Sequence, residues 1–528
     1  MMKRYWLIGC FALLMGVAMA QVGEVADASM VDETVLLAVP PTTRLAPKAP
    51  ARVIDLPQTV TPPSHWEGYN YPFFVAGYVA PAPPDLVKAI RWTRYEDTEG
   101  VRGQVGVLIL RSQGAKSLRV RFSGGRWHSA VQLRVFDPVG GYAFPADFPI
   151  WDENGDWWTT IIFGDQIGLE FFVPHGVENP FVPDISAIAY HFAGPEVNIS
   201  DFEPASGCPL NDVSCFPAWR NFAAFSVCML SVIGGDGNVA GFCSGNAINR
   251  APEDFAPIVM TARHCVGDQA EANATVFVWR YFTQTCNGTP PNPNDLPRSN
   301  GSLLLKQHQG SDWTLLGSYE PMAATVYVGW DTNNIPNNTL LFALSHPMNP
   351  APPNGPFMRY AEAEKTGETT CGVVGGSQTW LVRWTNSTIR RGSSGSAILD
   401  ASTRARGTAS CVSTCVLVDP KCCPPNPDAL GYYGRIDVAW PIVRWYLQNM
   451  ANPTFVNRAV SGDPNNGGDT ERGTSANPFN TVYEGTFCVP TSGTVRIVPG
   501  NYNERFRVWR AMRLERSGTS GIVRIGTL

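Results

Sequence analysis

The sequence has few charged residues, and beyond its N-terminal segment it has no long apolar run. Charged residues make up 16% of the 528 positions and the net charge is -5, which gives no case for nucleic acid as a partner. No run of about 18 apolar residues follows the N-terminal segment, so the sequence predicts no membrane span. The metal-ligand spacings Cys-x-x-Cys and His-Glu-x-x-His and a Gly-rich phosphate loop are also missing. We therefore expect neither a metal nor another cofactor.

Helical periodicity is scarce as well, whereas turn-forming residues are abundant. The chain contains 50 glycines and 44 prolines, aromatic residues reach 11%, and apolar residues reach 44%. This composition is typical of a globular, mostly β protein in which short strands alternate with turns. The length predicts roughly three or four domains.

The N-terminus has the pattern of a secretory signal peptide. Lys3 and Arg4 precede an apolar stretch at 5–17, and residues 18–20 form a small-x-small cleavage site. A lipoprotein-like box ending at Cys10 is an alternative, but it would leave an apolar core of only about five residues. A cleaved signal predicts a secreted or periplasmic protein, in which the cysteines beyond the signal can form disulfide bonds.

Composition divides the chain into five segments. Alternating apolar and polar runs, such as Leu118–Phe122, predict an antiparallel β-sandwich. The next unit is mostly β and barrel-like, with a closing helix where apolar residues recur every three or four positions from Val438 to Met450. Near-regular strands and turns then predict one or two coils of a parallel β-helix, which either pack on the preceding domain or are cut short. The predicted segments are 1–20, the signal peptide; 21–85, a Pro/Ala-rich leader or linker with room for an edge strand; 86–200, the sandwich as a pro- or accessory domain; 201–450, the barrel-like domain; and 451–528, a linker followed by the β-helix-like segment.

A serine between glycines follows an apolar, Trp-rich run and precedes another apolar step. Gly392 and Gly395 flank Ser393 and Ser394, and glycines let the backbone turn tightly with its N–H groups pointing inward. A serine held in such a turn can attack a carbonyl group while those N–H groups receive the developing negative charge. The alternative interpretation is an ordinary polar loop, which has the same composition.

Two further residues could activate such a serine. Of the seven histidines, only His264 lies at a predicted strand end beside a cysteine, Cys265, for which Cys243 is a plausible disulfide partner. Asp312 lies at the start of an apolar strand, where a buried carboxylate could orient the imidazole and stabilise its charged form. We therefore predict that His264, Asp312 and Ser394 form a catalytic group. The other histidines are expected to be structural or at the surface.

Three short motifs occur in this order along the chain: Thr261–Cys265, Ser311–Leu316 and Gly392–Ser396. They resemble those of the trypsin-like serine peptidases of the lysyl endopeptidase family, which have the chymotrypsin fold. The resemblance implies two β-barrels with the catalytic group in the cleft between them. It assigns His264 as general base and then acid, Asp312 as its orienter and Ser394 as nucleophile. The N–H groups of Gly392 and Ser394 would form the oxyanion hole.

The resemblance also implies three disulfide bonds. They are Cys243–Cys265, Cys215–Cys286 and Cys208–Cys415, with Cys411 as a rival to Cys415 for the third. The remaining cysteines beyond the signal stay unassigned, because pairing cannot be deduced from sequence.

The pocket for the substrate side chain departs from the family pattern. Gly431 stands where lysyl endopeptidases have the acid that binds the substrate lysine, and Asp428 could replace that acid only if its loop shifts. Cys411 and Val412 stand where two glycines usually line the pocket, and they would narrow it. The side-chain preference is therefore open, with lysine as one possibility, since a pocket without its charge partner loses that discrimination. The predicted pocket residues are Thr388, Ser410, Cys411, Val412 and Gly431.

The leading hypothesis is a secreted serine endopeptidase that cleaves polypeptide substrates through an acyl-enzyme, as a monomer. The alternative is a catalytically inactive peptidase-like protein that serves in binding or adhesion. A polysaccharide-acting β-helix enzyme ranks last, because the repeat segment is too short to hold a groove. Ser393 is uncharged where many trypsin-like zymogens place an aspartate. Any activation is therefore expected to come from removal of the N-terminal region and not from a new ion pair.

Overall fold

The computed structural model consists mainly of β-strands, as the composition predicts, with four α-helices among the residues it describes. No helix in this part of the chain is long and apolar enough to cross a membrane. The structure describes residues 22–23, 26–27, 51–57, 74–96, 100–125, 130–146, 155–177, 182–193, 210–251, 254–348, 357–413, 423–448, 450–459, 471–504 and 508–526. The predicted signal peptide lies outside these ranges.

The predicted β-sandwich is present in the N-terminal part of the chain. Its strands and the short strands before them are β1 (Val22–Gly23), β2 (Ala26–Asp27), β3 (Arg52–Asp55), β4 (Phe74–Pro81), β5 (Trp92–Glu96), β6 (Arg102–Arg111), β7 (Ser117–Ser123), β8 (Gln132–Phe136), β9 (Ala143–Pro145), β10 (Trp157–Trp158), β11 (Ile162–Phe163), β12 (Gln166–Pro174) and β13 (Asp184–His191). One sheet has the order β3-β6-β12-β8-β9, with β5 on β6, and the second contains β10-β7-β13-β4, with β11 on β7. Buried apolar residues along β6, β7 and β12 belong to one core cluster.

Strand β4 lies in the segment that the sequence predicts as a leader or linker. It is not an edge strand, because it pairs antiparallel with β13 on one side and with Val239–Ala247 of the next domain on the other. Its small and β-branched residues Val75, Ala76 and Ala80 are buried, as an internal strand requires. The sheet of the sandwich therefore continues into the following barrel.

The first barrel contains seven strand segments. They are β15 (Val227–Ile233), β16 (Val239–Ala247), β17 (Ile258–Thr261), β18 (Val276–Trp279), β19 (Arg298–Asn300), β20 (Ser302–His308) and β21 (Trp313–Ser318); β14 (Asn211–Asp212) and the helices α1 (Pro217–Arg220) and α2 (Gln269–Ala274) accompany them. The antiparallel ladder runs β19-β18-β15-β16-β17-β21-β20. Gly301, at φ +68°, joins β19 to β20, so that one bent run of chain links both ends of the ladder.

The second barrel closes on itself. Its strands and the connecting pieces are β22 (Val326–Tyr327), β23 (Gly329–Asp331), β24 (Leu340–Ser345), β25 (Arg359–Cys371), β26 (Ser377–Asn386), β27 (Ala397–Leu399), β28 (Arg404–Val412) and β29 (Leu430–Arg435). The order β28-β27-β24-β25-β26-β29 returns to β28 through antiparallel pairs. Helix α3 (Ile436–Leu447) follows directly, where the sequence predicts the closing helix. The two barrels that the resemblance implies are therefore present.

The C-terminal segment packs on the barrels. It contains β30 (Thr454–Val456), helix α4 (Val482–Cys488), β31 (Thr494–Ile497), β32 (Gly500–Tyr502), β33 (Arg513–Arg516) and β34 (Val523–Ile525). β30-β31-β33 and β32-β34 are two short parallel sheets, and a β-helix remains a prediction for this segment. The segment packs on the preceding domain: Phe487 lies against Gly317 of β21, and the Tyr483 hydroxyl donates to the carbonyl oxygen of Ser318 at 3.0 Å.

This docked segment holds a buried carboxyl group, Glu484 of helix α4. Its Oε2 accepts a hydrogen bond from the Thr481 hydroxyl at 3.1 Å, and its Oε1 lies 3.4 Å from the hydroxyl of Tyr446. Burial raises the pKa of Glu484 well above its ordinary value of 4.5; the charges of Glu471 and Glu504 add to the rise, and the Lys306 ammonium opposes it. The folded protein therefore keeps a proton on Glu484 at a pH where the unfolded chain has lost it.

We expect the unfolding free energy to fall as pH rises above 4.5, because the unfolded state then gains by ionising Glu484. In Glu484→Gln the amide imitates the protonated acid and does not ionise. The decrease of unfolding free energy with pH should therefore be smaller than in the unmodified protein, by about 1.4 kcal/mol for each unit by which folding raises the pKa of Glu484. Denaturant unfolding of both proteins at about pH 5 and about pH 8 measures the difference. Equal pH dependence of the two proteins would show that Glu484 is not the titrating group.

Candidate active site

His264 and Asp312 meet in the first barrel. His264 lies in the turn that follows β17, and Asp312 immediately precedes β21, which pairs with β17. The two Asp312 oxygens receive different donors: Oδ2 lies 2.7 Å from Nδ1 of the imidazole, and Oδ1 accepts the backbone N–H of His264 at 2.9 Å. The His264 and Asp312 side chains are 3% and 2% exposed. A carboxylate in this place keeps a proton on Nδ1 and leaves Nε2 as the basic nitrogen.

The backbone around Asp312 is fixed from several sides. Asp312 has a left-handed conformation with φ 54°, which aspartate tolerates better than most residues. Its carbonyl oxygen accepts hydrogen bonds from the N–H of Arg263 at 3.2 Å and from the Thr408 hydroxyl of the second barrel at 3.1 Å. The carboxylate is thereby positioned by both barrels.

The Nε2 atom of His264 has no hydrogen-bond partner among the residues that the structure describes. The turn that carries it is anchored by the disulfide bond between Cys243 of β16 and Cys265. It is also anchored by Glu271, which accepts the N–H of Gly267 at 2.6 Å. Burial, with the charge of Asp268 adding to it, raises the pKa of Glu271 to about 7. The imidazole is therefore held firmly, while its buried Nε2 has no partner among the described residues.

Ser394 lies in a glycine turn that packs against the strand leading to His264. A Cβ at Gly395, where φ is +84°, would lie 2.1 Å from the Thr261 hydroxyl oxygen and 2.8 Å from the backbone nitrogen of Ala262. The Ser394 carbonyl oxygen accepts the N–H of Ser244 in β16 at 2.7 Å. Ser394 itself is partly exposed. Only glycine permits this approach, so the sequence Gly-Ser-Ser-Gly brings the serine to the first barrel.

Two N–H groups of this turn are free. Within the described part of the chain, neither Gly392 nor Ser394 donates its N–H to a protein acceptor. Gly392 has φ +87°, and a Cβ there would lie 2.6 Å from Cγ of Met348. The turn thus presents unpaired donors beside a partly exposed hydroxyl, an arrangement suited to a developing oxyanion.

Ser393, the residue before Ser394, is fully buried and uncharged. Its hydroxyl lies 2.9 Å from the Ser345 hydroxyl and accepts the N–H of Arg390 at 3.3 Å. The uncharged Ser393 side chain is therefore satisfied by neutral hydrogen bonds. An aspartate at this position would need a positively charged partner such as an ammonium group.

Ser244 is a residue that the sequence interpretation missed. Its hydroxyl donates to the carbonyl oxygen of Gly392 at 2.9 Å and accepts the N–H of His346 at 2.9 Å. Ser244 thus joins β16 to the glycine turn and to the strand end at His346. The only local indication of its role was its position next to Cys243. A serine in a buried strand has no sequence pattern that would distinguish it.

The predicted pocket residues lie on the second barrel: Thr388 follows β26, Ser410, Cys411 and Val412 are on β28, and Gly431 is on β29. Thr388 and Ser410 are buried, and their hydroxyls donate to nearby carbonyl oxygens. Gly431 faces the indole of Trp384, and a Cβ there would lie 2.8 Å from it, so a larger side chain would displace the ring. Asp428 is exposed, and its carbonyl oxygen accepts hydrogen bonds from the Ser413 hydroxyl and the N–H of Leu430.

Cys411 forms a disulfide bond with Cys371 at the end of β25. The expectation that Cys411 could compete for Cys208 is therefore wrong. The two cysteines are 40 positions apart, but β28 and β25 approach each other in the closed barrel, which sequence spacing does not reveal. Cys411 and Val412 are both partly buried on β28. The bond directs the Cys411 sulfur to β25.

The other cysteines separate into bonded and free residues. The structure contains the Cys215–Cys286 bond that the resemblance implies, whereas Cys208 and Cys415 lie outside the described residues. Among the described cysteines, Cys228 and Cys488 are free and buried. The cluster Cys243, His264 and Cys265 has ligand atoms within 4.8 Å of one another, but its two sulfurs form a disulfide bond and provide no thiolate for a metal.

The described histidines other than His264 have different surroundings. His346 is buried, with its ring 6.1 Å from that of Tyr281, and His308 Nδ1 lies 2.8 Å from the Ser311 hydroxyl. His191 is buried against Phe242, and His175 is exposed. His65 and His128 lie outside the described residues.

Sequence comparison finds one protein family and one curated protein that are similar to this chain. Residues 203–419 match the sequence family described as "Lysyl endopeptidase, C-terminal domain". A lysyl endopeptidase of Pseudomonas aeruginosa is 26% identical over 320 residues, which span 56% of this chain and 66% of that protein. The chain thus spans just under two thirds of the length of the curated relative.

Two of the solved structures that are similar to this chain are proteases. The MamO protease domain of Magnetospirillum magneticum is 15% identical, with a TM-score of 0.27, over 40% of this chain and 93% of that domain. A protease of M. tuberculosis in its active form is 14% identical, with a TM-score of 0.29, over 45% of this chain and 90% of that structure. Residues 203–419 are thus similar in sequence to the C-terminal domain of lysyl endopeptidases, and the structure of this region contains two β-barrels.

Proposed function

We propose that the protein is a serine endopeptidase that uses Ser394 as nucleophile. The observation that carries the proposal is the buried His264–Asp312 pair, whose Nε2 has no partner among the described residues, in the turn that follows Thr261 and Ala262, on which the Ser394 glycine turn packs. Serine alone is a poor nucleophile, and an oriented imidazole removes this limitation by accepting the hydroxyl proton. The relative named a lysyl endopeptidase supports the same reaction class.

The proposed reaction has two halves. Ser394 Oγ attacks the scissile carbonyl carbon while Nε2 of His264 takes its proton, and the oxyanion of the tetrahedral intermediate binds the N–H groups of Gly392 and Ser394. Nε2 then protonates the leaving amine, and an acyl-enzyme remains. Water, deprotonated by the same nitrogen, attacks the ester and restores Ser394. Asp312 holds the imidazole through Nδ1 and stabilises its positive charge in both halves.

The side chain accepted at the cleaved bond follows from the pocket. Neither Thr388 nor Gly431 brings a charged group to the pocket. The indole of Trp384 also packs against Gly431 and fills the space beside it. We propose a preference for small or uncharged side chains. Cleavage after lysine would need a carboxylate such as Asp428, because an ammonium group buried without a charge partner is costly.

Digestion of a mixed peptide library, with cleavage sites determined by mass spectrometry, tests both proposals. Ser394→Ala serves as the control. Cleavages that vanish in the control support the endopeptidase, and their sequences give the preference. Abundant cleavage after lysine would overturn the preference and leave the reaction intact. Absence of cleavage by both proteins would favour a binding role for the domain.

We also propose that the protein acts outside the cytoplasm, as a monomer. The three disulfide bonds among the described residues would not persist in a reducing compartment. The N-terminal signal pattern agrees with export.

Ser244→Ala is expected to lower kcat by roughly tenfold with little change in KM. The substitution leaves the Gly392 carbonyl and the His346 N–H unpaired in the interior, which costs about 1–3 kcal/mol and loosens the turn that binds the oxyanion. Ser244→Thr keeps the hydroxyl and should retain most of the rate. Steady-state kinetics on one peptide substrate provide the measurement. A loss of thermal stability in Ser244→Ala without a loss of kcat would mean that Ser244 is only structural.

A further inference from the structure

We infer that the β-sandwich is a permanent structural partner of the first barrel and stays bound to it if the chain between them is cut. The inference concerns binding, and it does not depend on the proposed peptidase activity. Three features of the contact support the inference. The two parts share a sheet, two buried polar side chains of the barrel form hydrogen bonds to the sandwich, and the apolar core is common to both parts.

The shared sheet depends on β4. Its residues Gly77–Pro81 pair with β13 of the sandwich, and residues 74–78 pair with β16 of the barrel. Gly77 packs so closely that a Cβ would lie 2.1 Å from the carbonyl oxygen of Tyr190. Because β4 precedes both partners in the chain, a cut between β13 and β14 leaves β4 with the sandwich. Its pairing with β16 would then be a strand added from a separate chain, and its loss would expose an unpaired edge of the barrel.

Asn294 of the barrel bonds to the sandwich through both ends of its side-chain amide, and its Oδ1 also accepts a hydrogen bond from Arg298 Nη2 at 3.2 Å. Its Oδ1 accepts the N–H of Phe163 at 2.9 Å, and its Nδ2 donates to the carbonyl oxygen of Phe163 at 2.7 Å and to Oδ2 of Asp137 at 3.0 Å. The residue is 3% exposed. The Asn294 amide thus pairs with the N–H and the carbonyl oxygen of Phe163 as a neighbouring strand would.

Arg298, at the start of β19, is 6% exposed although it is an arginine. Its guanidinium donates to the carbonyl oxygen of Ile161, and its carbon lies 4.1 Å from the ring centre of Phe144 and 5.5 Å from that of Phe163. Desolvation lowers the pKa of Arg298 to about 9. These three partners all belong to the sandwich, so its departure would remove every stacking ring and one carbonyl acceptor from this cation.

The apolar core does not divide at the boundary. One cluster of buried residues includes Phe122 and Trp157 of the sandwich together with Phe242 and Phe277 of the barrel. The rings of His191 and Phe242, one from each part, are 5.1 Å apart and fully buried. Separation would expose a large apolar surface on the barrel, which soluble proteins avoid. The sequence led us to expect activation by removal of the N-terminal region; the contact predicts instead that a cleaved sandwich remains in place.

The test is a cut in the folded full chain. A recognition site for a sequence-specific protease is inserted between residues 193 and 210, in the Ser394→Ala background to prevent self-digestion. After cutting, we expect both fragments to elute together from a size-exclusion column at the position of the uncut chain. Separate elution of the fragments under native conditions would overturn the inference.

Two variants sharpen the result. Asn294→Ala combined with Arg298→Ala should release the cut sandwich more readily, because both contacts to it are lost. Arg220→Ala is the matched control, since the side-chain contacts that the structure describes for Arg220, with Asn221, Gln284 and the ring of Phe282, do not involve the sandwich. If the double variant released no more sandwich than the control, the two side chains would not carry the contact.

A second measurement decides the question if the insertion impairs folding. In the unmodified chain, hydrogen exchange under increasing denaturant reports β7 of the sandwich and β16 of the barrel separately. A shared core predicts that both strands open in one transition. Two transitions at different denaturant concentrations would show independent units and would contradict the inference.

Discussion

Replacing Ser394 with alanine is expected to abolish peptide cleavage, with kcat lowered by about 10⁶-fold. The substitution removes the only atom that forms the proposed acyl-enzyme, while the glycine turn and its free N–H groups remain. Residual hydrolysis would come from the oxyanion hole and substrate binding alone. The measurement is kcat on a fluorogenic peptide, with the enzyme in excess so that a very slow rate is detectable.

The matched control for this prediction is Ser402→Ala. Ser402 is an exposed serine on the same barrel, in the turn after β27. Its replacement should leave kcat within a factor of about two, as is typical of surface substitutions. Equal rates for Ser394→Ala and the unmodified protein would remove Ser394 from the mechanism.

Asp312→Asn is expected to lower kcat by about 10⁴-fold at neutral pH, the size of effect known for the corresponding change in a serine protease triad. The asparagine can still accept the backbone N–H of His264 through its oxygen. Its amide NH₂ group, however, faces Nδ1 and donates to it, which places the imidazole proton on Nε2. In this tautomer Nε2 cannot accept the proton of Ser394, and the charged imidazole loses its anionic partner.

The kinetic effect of Asp312→Asn must be separated from a folding defect. The shape of the side chain is conserved, and the bonds from Arg263 and Thr408 go to the backbone carbonyl, so a folded protein is expected. Thermal unfolding and substrate KM should therefore change little. A loss of rate smaller than about tenfold in a folded variant would mean that Asp312 does not control the tautomer.

The local chemistry of the site could be predicted from the sequence because each motif lies at a strand end or in a glycine turn. His264 follows an apolar strand, Asp312 precedes one, and Ser394 stands between glycines. Their order along the chain then limits the fold that can bring them together. The structure places His264 and Asp312 in contact, while the catalytic roles of these residues and of Ser394 remain predictions.

Long-range pairing is what the sequence did not reveal. Strand β4 lies in a Pro/Ala-rich segment, and only its position between β13 and β16 shows that it is internal. The same holds for Ser244, whose partners Gly392 and His346 are 148 and 102 positions away. The Cys371–Cys411 bond likewise depends on barrel closure. Local patterns carry no information about such partners.

One missed element did have a local signal. Helix α4 is capped by Thr481, whose hydroxyl accepts the N–H of Glu484 at 3.1 Å. Thr-x-x-Glu is the pattern of a capping box, in which the first side chain satisfies a free N–H group of the helix. The short strands predicted around it obscured this pattern. The polar composition of 461–478 favoured a linker over a buried helix nearby.

Covalent labelling of the full chain with a fluorophosphonate tests the central claim most directly. An activated serine displaces fluoride from phosphorus and retains the phosphonyl group on Oγ, whereas an ordinary serine does not react at a comparable rate. The account predicts a single adduct that peptide mapping locates at Ser394, greatly slowed in His264→Ala and absent from Ser394→Ala. A folded protein that takes no label, or takes it equally when His264 is replaced, would contradict the account.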